Sequence, residues 1–149
     1  MASVLRISEA GSLALHAMAI LAAEPDALHS AGRIASALEV SEAHLSKVLQ
    51  RLVRVGLVRS VRGPKGGFAL GRSPEEVTLL EVYESIDGPV PAGNCLLSRP
   101  ICAGKRCILG NLLVSVNHQV RKQLAETKLS SLAGAFSREY AHAARDRQD

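Results

Sequence analysis

The hydrophobic period changes once between Ser41 and Leu70, and that change constrains the fold more than any other feature of the chain. Before it, Leu45, Val48, Leu49, Leu52 and Val55 recur every three or four residues, the spacing that lines one face of an α-helix. Ser41 stands where an N-cap accepts from the first orphan amides, and Gly56 stands at the C′ position, where a left-handed residue closes a helix. After it, Leu57 to Val61 and Phe68 to Leu70 flank the sequence Arg62-Gly63-Pro64-Lys65-Gly66-Gly67. Two short strands therefore meet at a Gly/Pro turn with a basic tip.

Two shorter helices precede this unit. Residues 9–23 place Leu13, Ala17, Ile20 and Leu21 at helical spacing, and Pro25-Asp26 ends that helix. Ser30 caps a second helix over residues 31–38, with Ile34, Ala35 and Leu38 on one side and a tight Glu39-Val40 connection after it. Helix, short helix, capped helix and basic hairpin is the order of a winged helix-turn-helix, whose third helix enters a major groove while the wing reaches phosphate or the minor groove. The chain is 47% hydrophobic but only 3% aromatic, with no Trp, so its core must be built from Leu, Val, Ile and Ala. The fold class predicted is mostly α: a winged helix-turn-helix with a β-hairpin wing and a long C-terminal dimerisation helix.

Downstream, Thr78-Leu79-Leu80-Glu81 forms a capping box that opens a fourth helix, closing at Asp87-Gly88. The segment GPVPAGNCLLSRPICAGKR then holds three Pro and three Gly with no sustained period. From Cys107 onward Leu109, Leu113, Val116, Val120 and Leu124 form a narrow stripe suited to pairing with a second copy, and Leu129, Leu132 and Phe136 make a last packed turn. The expected organisation is a DNA-binding domain over 1–88, a cysteine-rich cluster-binding loop over 89–107, a dimerisation helix and short packed helix over 108–136, and a flexible tail over 137–149.

The exposed face of the third helix carries His44, Lys47, Gln50, Arg51 and Arg54. Candidate DNA contacts are Ser41, Glu42, His44, Lys47, Gln50 and Arg51 on that helix, with Arg59, Arg62 and Lys65 around the wing. Short polar groups at a helix start suit base edges, and Arg or Lys suits guanine or phosphate. Net charge agrees without deciding anything: 18 Lys and Arg stand against 14 Asp and Glu. The bland alternative is a solvated charged face, and the conjunction of helix and wing is what argues against it.

The cysteines Cys95, Cys102 and Cys107 are spaced C-x6-C-x4-C, beside Arg99, Lys105 and Arg106. Neighbouring cations favour thiolate, the metal-binding form. The spacing lacks the close pair of a structural zinc site, whereas iron–sulfur loops tolerate wider gaps. Buried small hydrophobes are the plain alternative for any one of the three. A fourth ligand would come from elsewhere, and Glu9, Ser12 and His16 form one polar line on the first helix that could supply it. His29 and His118 read as surface residues, and His142 falls in the tail.

With wing and cysteines in hand, residues 5–135 resemble the bacterial Rrf-type (IscR/NsrR-like) winged helix-turn-helix transcriptional regulators. The resemblance is carried by VSEAHLSKVLQRLVRVGLVRSVRGPKGGFAL, by VTLLEVYESIDG and by the three-cysteine loop. It implies a homodimer on palindromic double-stranded promoter DNA, with Cys95, Cys102 and Cys107 holding a [2Fe-2S] or [4Fe-4S] iron–sulfur cluster. Gly110 stands where IscR-like members have a histidine, and Ser12 where NsrR-like members have an acidic residue, so the fourth ligand does not carry over.

The function expected is a dimeric DNA-binding regulator that senses iron, redox state or nitric oxide through the cluster. The alternative is a cluster-free winged-helix regulator using thiol or metabolite sensing. An enzyme is not expected, because there is no nucleotide-binding Gly motif and no nucleophile–base pair. No run of about 18 apolar residues could span a bilayer. Glu9, Ser12 and His16 break the N-terminal apolar stretch, unlike a signal peptide, so a cytoplasmic location is expected.

Overall fold

Local capping explains where the first four helices begin. The computed structural model describes residues 5–102, 107–109 and 111–136. Helix α1 spans Glu9–Ala23, α2 Ala31–Leu38, α3 Glu42–Arg54 and α4 Leu79–Asp87. Ser8, Ser30 and Ser41 accept from the amides of Gly11, Arg33 and His44 at 2.9, 3.1 and 3.4 Å. Ahead of α4 the capping box is complete: Glu81 N donates to Thr78 Oγ1 at 3.1 Å and Thr78 N to Glu81 Oε2 at 3.0 Å. Each bond satisfies an amide that has no partner inside its helix.

Strands β1 (Val58–Val61) and β2 (Gly67–Leu70) pair antiparallel, Val58 opposite Leu70 and Val61 opposite Gly67. The hairpin is not isolated. His29 N donates to Phe68 O and Phe68 N to His29 O, both at 2.8 Å, so the α1–α2 connection adds a one-residue third strand. Gly67 permits that approach, since a Cβ there would lie 2.7 Å from the His29 carbonyl oxygen.

His29 corrects the surface assignment made from sequence: it is only 3% exposed. Its partner strand lies 39 residues away, so no local pattern announces its burial. His118 is exposed as expected.

Helix α1 is the hub. It packs against α2, α3, α4 and β2, and burial runs round much of its circumference, taking in Leu13, Ala14, Ala17, Met18, Leu21 and Ala22. Leu45, Leu49 and Leu52 of α3, Ile34 of α2 and Val82 of α4 complete a single aliphatic core.

Helix α5 spans Leu112–Glu126, starting five residues after Cys107. The stripe expected from Cys107 is thus shortened: Leu109 lies in the turn before the helix, where its carbonyl accepts from Leu112 N at 3.0 Å. Asn111 makes no side-chain cap, so nothing local fixes the helix start. At its far end the chain folds back. Leu79 N donates to Thr127 O and Leu129 N to Val77 O, both at 3.0 Å, and a 3₁₀ turn over Leu129–Leu132 rests on α1 with Leu129 fully buried. Lys105, Arg106, Gly110, His142 and the 137–149 segment lie outside the described residues.

Candidate nucleic-acid interface

Successive residues of an α-helix step round its axis by about 100°, so the buried Leu45, Val48, Leu49 and Leu52 fix the inner face of α3. Opposite them Ala43, Lys47, Gln50 and Arg54 make one outward line, all exposed. Ser41 and Glu42 are exposed at the helix start. Packing of α3 on β1 attaches the wing to this helix, and Arg59, Arg62 and Lys65 on the wing are all exposed. Lys47, Gln50, Arg54 and the three wing cations therefore share one open, basic element pair.

The other two candidates on α3 have protein partners. His44 Nδ1 lies 3.6 Å from Glu9 Oε1 of α1. Arg51 Nη2 donates to the Ile86 carbonyl at 2.8 Å, at the C-terminal end of α4. Both belong to the line that also holds Val48, seven residues joining them over two turns. That spacing places them at the edge of the exposed face, Arg51 exposed and His44 half-exposed, beside the core residue Val48. Ala43 was missed because a methyl group carries no polarity to mark an outward position.

The cysteines occupy the connection from α4 to α5. Cys95 and Cys107 are half-buried, Cys102 is exposed, and none is in a disulfide. The first part of the connection is held down. Val90 is buried and donates its amide to Glu84 Oε1 at 3.4 Å, and Arg121 of α5 donates to the same oxygen at 3.0 Å. Asn117 of α5, itself buried, donates from Nδ2 to the Gly93 carbonyl at 3.4 Å, two residues before Cys95. The later part is open, with Leu96, Leu97, Ile101 and Ile108 exposed, the last two at 83% and 91%.

Among the described residues no three His, Cys, Asp or Glu side chains come close enough to hold a metal ion. Three thiols on one loop nonetheless form a soft donor set of the kind iron–sulfur clusters use. The polar line on α1 divides: Glu9 faces His44, while His16 Nδ1 meets the Ser12 carbonyl at 2.7 Å and its ring stands edge-on to Phe136. Burial pushes the His29 imidazole below its usual 6.5, with Arg33 adding to the shift and Glu24 opposing it.

Of the stripe expected on α5, only Leu113 is buried, while Val116, Val120 and Leu124 are partly open. Val120, Leu124 and Leu5 line a shallow groove of about 620 Å³. No helix among the described residues is long and apolar enough to cross a membrane.

Comparison with known proteins agrees with this architecture. Residues 7–135 match the profile of the Rrf2 family, described as an iron-dependent transcriptional regulator. BadM of Rhodopseudomonas palustris, a putative HTH-type transcriptional regulator by name, is 45% identical over 78 residues, 52% of this chain and 50% of that protein. IscR of Photorhabdus laumondii is 32% identical over 93 residues, 62% of this chain and 57% of that protein. The chain thus spans little more than half the length of these curated relatives. CymR, the global cysteine regulator of B. subtilis, superposes with a TM-score of 0.77 at 28% identity, covering 89% of this chain and 99% of its own. These relatives are regulators, not enzymes, and the chain belongs to the Rrf2 family of transcriptional regulators.

Proposed function

We propose that two copies of this chain bind palindromic promoter DNA and that the three-cysteine loop sets how well they do so. The observation that carries the DNA reading is the outward line of α3 beside an open basic wing. Gln50 and Lys47 would meet base edges, with Ser41 and Glu42 at the helix start. Arg54, Arg59, Arg62 and Lys65 would meet phosphates or the minor groove. Two-fold symmetry calls for two half-sites, and several phosphate contacts call for a steep loss of affinity with salt. The partly open stripe of α5, with Val116, Val120 and Leu124 partly exposed and Leu112 half exposed one turn before Val116, is the apolar surface a second copy would cover.

Cys95, Cys102 and Cys107 would hold an iron–sulfur cluster, in accord with their shared loop and with the family's description as iron-dependent. Such a group, when bound, supplies a centre whose gain, loss or oxidation changes the loop. The chain's own part is to draw three thiolates together, which couples binding to loop geometry. A cluster-free thiol switch is the second reading, favoured by the structural likeness to CymR, which in Staphylococcus aureus has been solved in an oxidized form.

Anaerobic purification followed by a visible spectrum and iron and sulfide counts separates the two. Near-stoichiometric iron and sulfide, lost in the Cys102→Ser variant, are expected. A colourless, iron-free protein that still binds promoter DNA would transfer sensing to the thiols. A protein with no sequence-selective, salt-dependent affinity for DNA would overturn the interface itself.

A further inference from the structure

Three structural ties converge on residues 86–88, where α4 ends and the cysteine connection begins. Arg51 of α3 donates to the Ile86 carbonyl at 2.8 Å. Asp87 accepts from Ser8 N at 3.0 Å and from Ser8 Oγ, and Ser8 is the N-cap of α1. Gly88, at φ +81°, turns the chain out of α4 in a conformation that residues with a Cβ rarely adopt.

From these observations we infer that Arg51 is a positioning residue that ties the DNA-facing helix to the end of the cysteine connection, and that it reads no base. The inference rests on the sensor reading above and deepens it, by naming the path through which the loop reaches α3.

The chemistry of the tie is specific. The last four carbonyls of a helix have no partner within it, and the helix C-terminus carries partial negative charge. A guanidinium there satisfies one carbonyl and complements that charge, so its bond is directional and charge-assisted although Arg51 itself is exposed. Ile86 is itself buried, which fixes the acceptor.

The path from Cys95 is short and held at two points. Asn117 grips the Gly93 carbonyl beside Cys95, Glu84 takes the amide of buried Val90, and Gly88 joins that stretch to Ile86. Cys95 is nine residues along the chain from the carbonyl Arg51 holds, with these two bonds and the buried Val90 between them. Arg51 lies one turn from Lys47 on the same helix, so tilting α3 about this tie moves the outward line as a body.

The test compares the parent with Arg51→Met and Arg51→Lys. The DNA probe is a duplex that the parent itself selects from a random-sequence library. Each protein is measured as purified anaerobically and again after chelation and alkylation. All three cysteines of the chain lie in the connection, so the treatment addresses that segment alone. The parent should change affinity on the order of tenfold between the two states, and Arg51→Met should change within about twofold. Arg51→Lys, which keeps a donor and a charge, should regain part of the response. A library reselected by Arg51→Met should return the parent's base preferences.

An Arg51→Met variant with the parent's full response would overturn the inference, and so would one that loses preference at a single base pair. An unchanged parent would sink the sensor reading and the link together, and this outcome is recognisable because it needs no variant. Thermal unfolding checks that Arg51→Met folds. Hydrogen exchange gives a second readout in the parent: protection of the α3 amides near Arg51 should differ between the two states, and equal protection overturns the link.

Discussion

Residues 9–87 and residues 89–126 are built on opposite terms. The first stretch encloses an aliphatic core of Leu, Val, Ile, Ala and Met round α1, and every helix in it starts at a side-chain cap. Of the described residues in the second, only Val90, Leu113 and Asn117 are buried, while Leu96, Leu97, Ile101, Ile108, Leu112 and Val114 lie open. Among the large apolar side chains of the head only Val55 and Val61 lie open, whereas the shorter cysteine connection with α5 leaves six open among its described residues. What this teaches is a division of labour: stability resides where contacts are dense, and responsiveness resides where they are few and need something external.

The sharpest way to break this contrast is to cut into each part and ask whether unfolding notices. Leu49→Ala, at a fully buried α3 position, should cost about 3 kcal/mol in chemical denaturation. A loss under about 1 kcal/mol would mean that the head is not the stable unit described. Leu112→Asp, at the half-exposed start of the α5 stripe, should leave the helical spectrum intact and weaken self-association by on the order of tenfold or more in sedimentation. Unchanged self-association would show that the open face of α5 is not where copies meet. Because unfolding of an associated protein depends on its concentration, both variants need comparison at equal protein concentration.

Smaller changes sharpen the picture inside the head. Thr78→Ala removes one side of the capping box and should lower stability by about 1 kcal/mol, read from the denaturation midpoint. The smallest effect expected is at His29. Its folded pKa lies below 6.5, so the unfolded chain binds the extra proton first as pH falls. Stability from this site is complete above about pH 6.5 and declines as pH drops from there toward the folded pKa. His29→Gln should flatten that part of the pH–stability curve, and an unchanged slope would assign the acid loss to other groups.

The same contrast governs what the sequence made legible. Helices α1 to α4 and the hairpin could be read because Ser30, Ser41, Thr78, Gly56 and the Gly/Pro turn are punctuation within a few residues of the element they bound. The start of α5 could not, because Asn111 supplies no cap and the apolar spacing continues back through Leu109 into a turn. The burial of His29 depends on a strand partner far along the chain. Among the proposed contacts, Lys47 and Gln50 could be placed by periodicity alone. The partners of His44 and Arg51 belong to α1 and α4, and no spacing within α3 names them. The cysteines were conspicuous as a set, but that Cys95 and Cys107 are half-buried and Cys102 exposed is visible only in the folded chain.

The reciprocal pair of hydrogen bonds between His29 and Phe68 has a consequence for how the protein would search DNA. A hairpin joined only to its own strands would fold into place on arrival and lose entropy in doing so. Riveted to the α1–α2 connection, this one arrives already set at a fixed span from α3, like the jaw of a caliper. If α3 and the wing meet DNA as proposed, a gauge of that kind would reject a duplex whose grooves have the wrong width before any base is touched. Selectivity should then extend to base pairs that no side chain reaches, through the local stiffness and shape of the double helix.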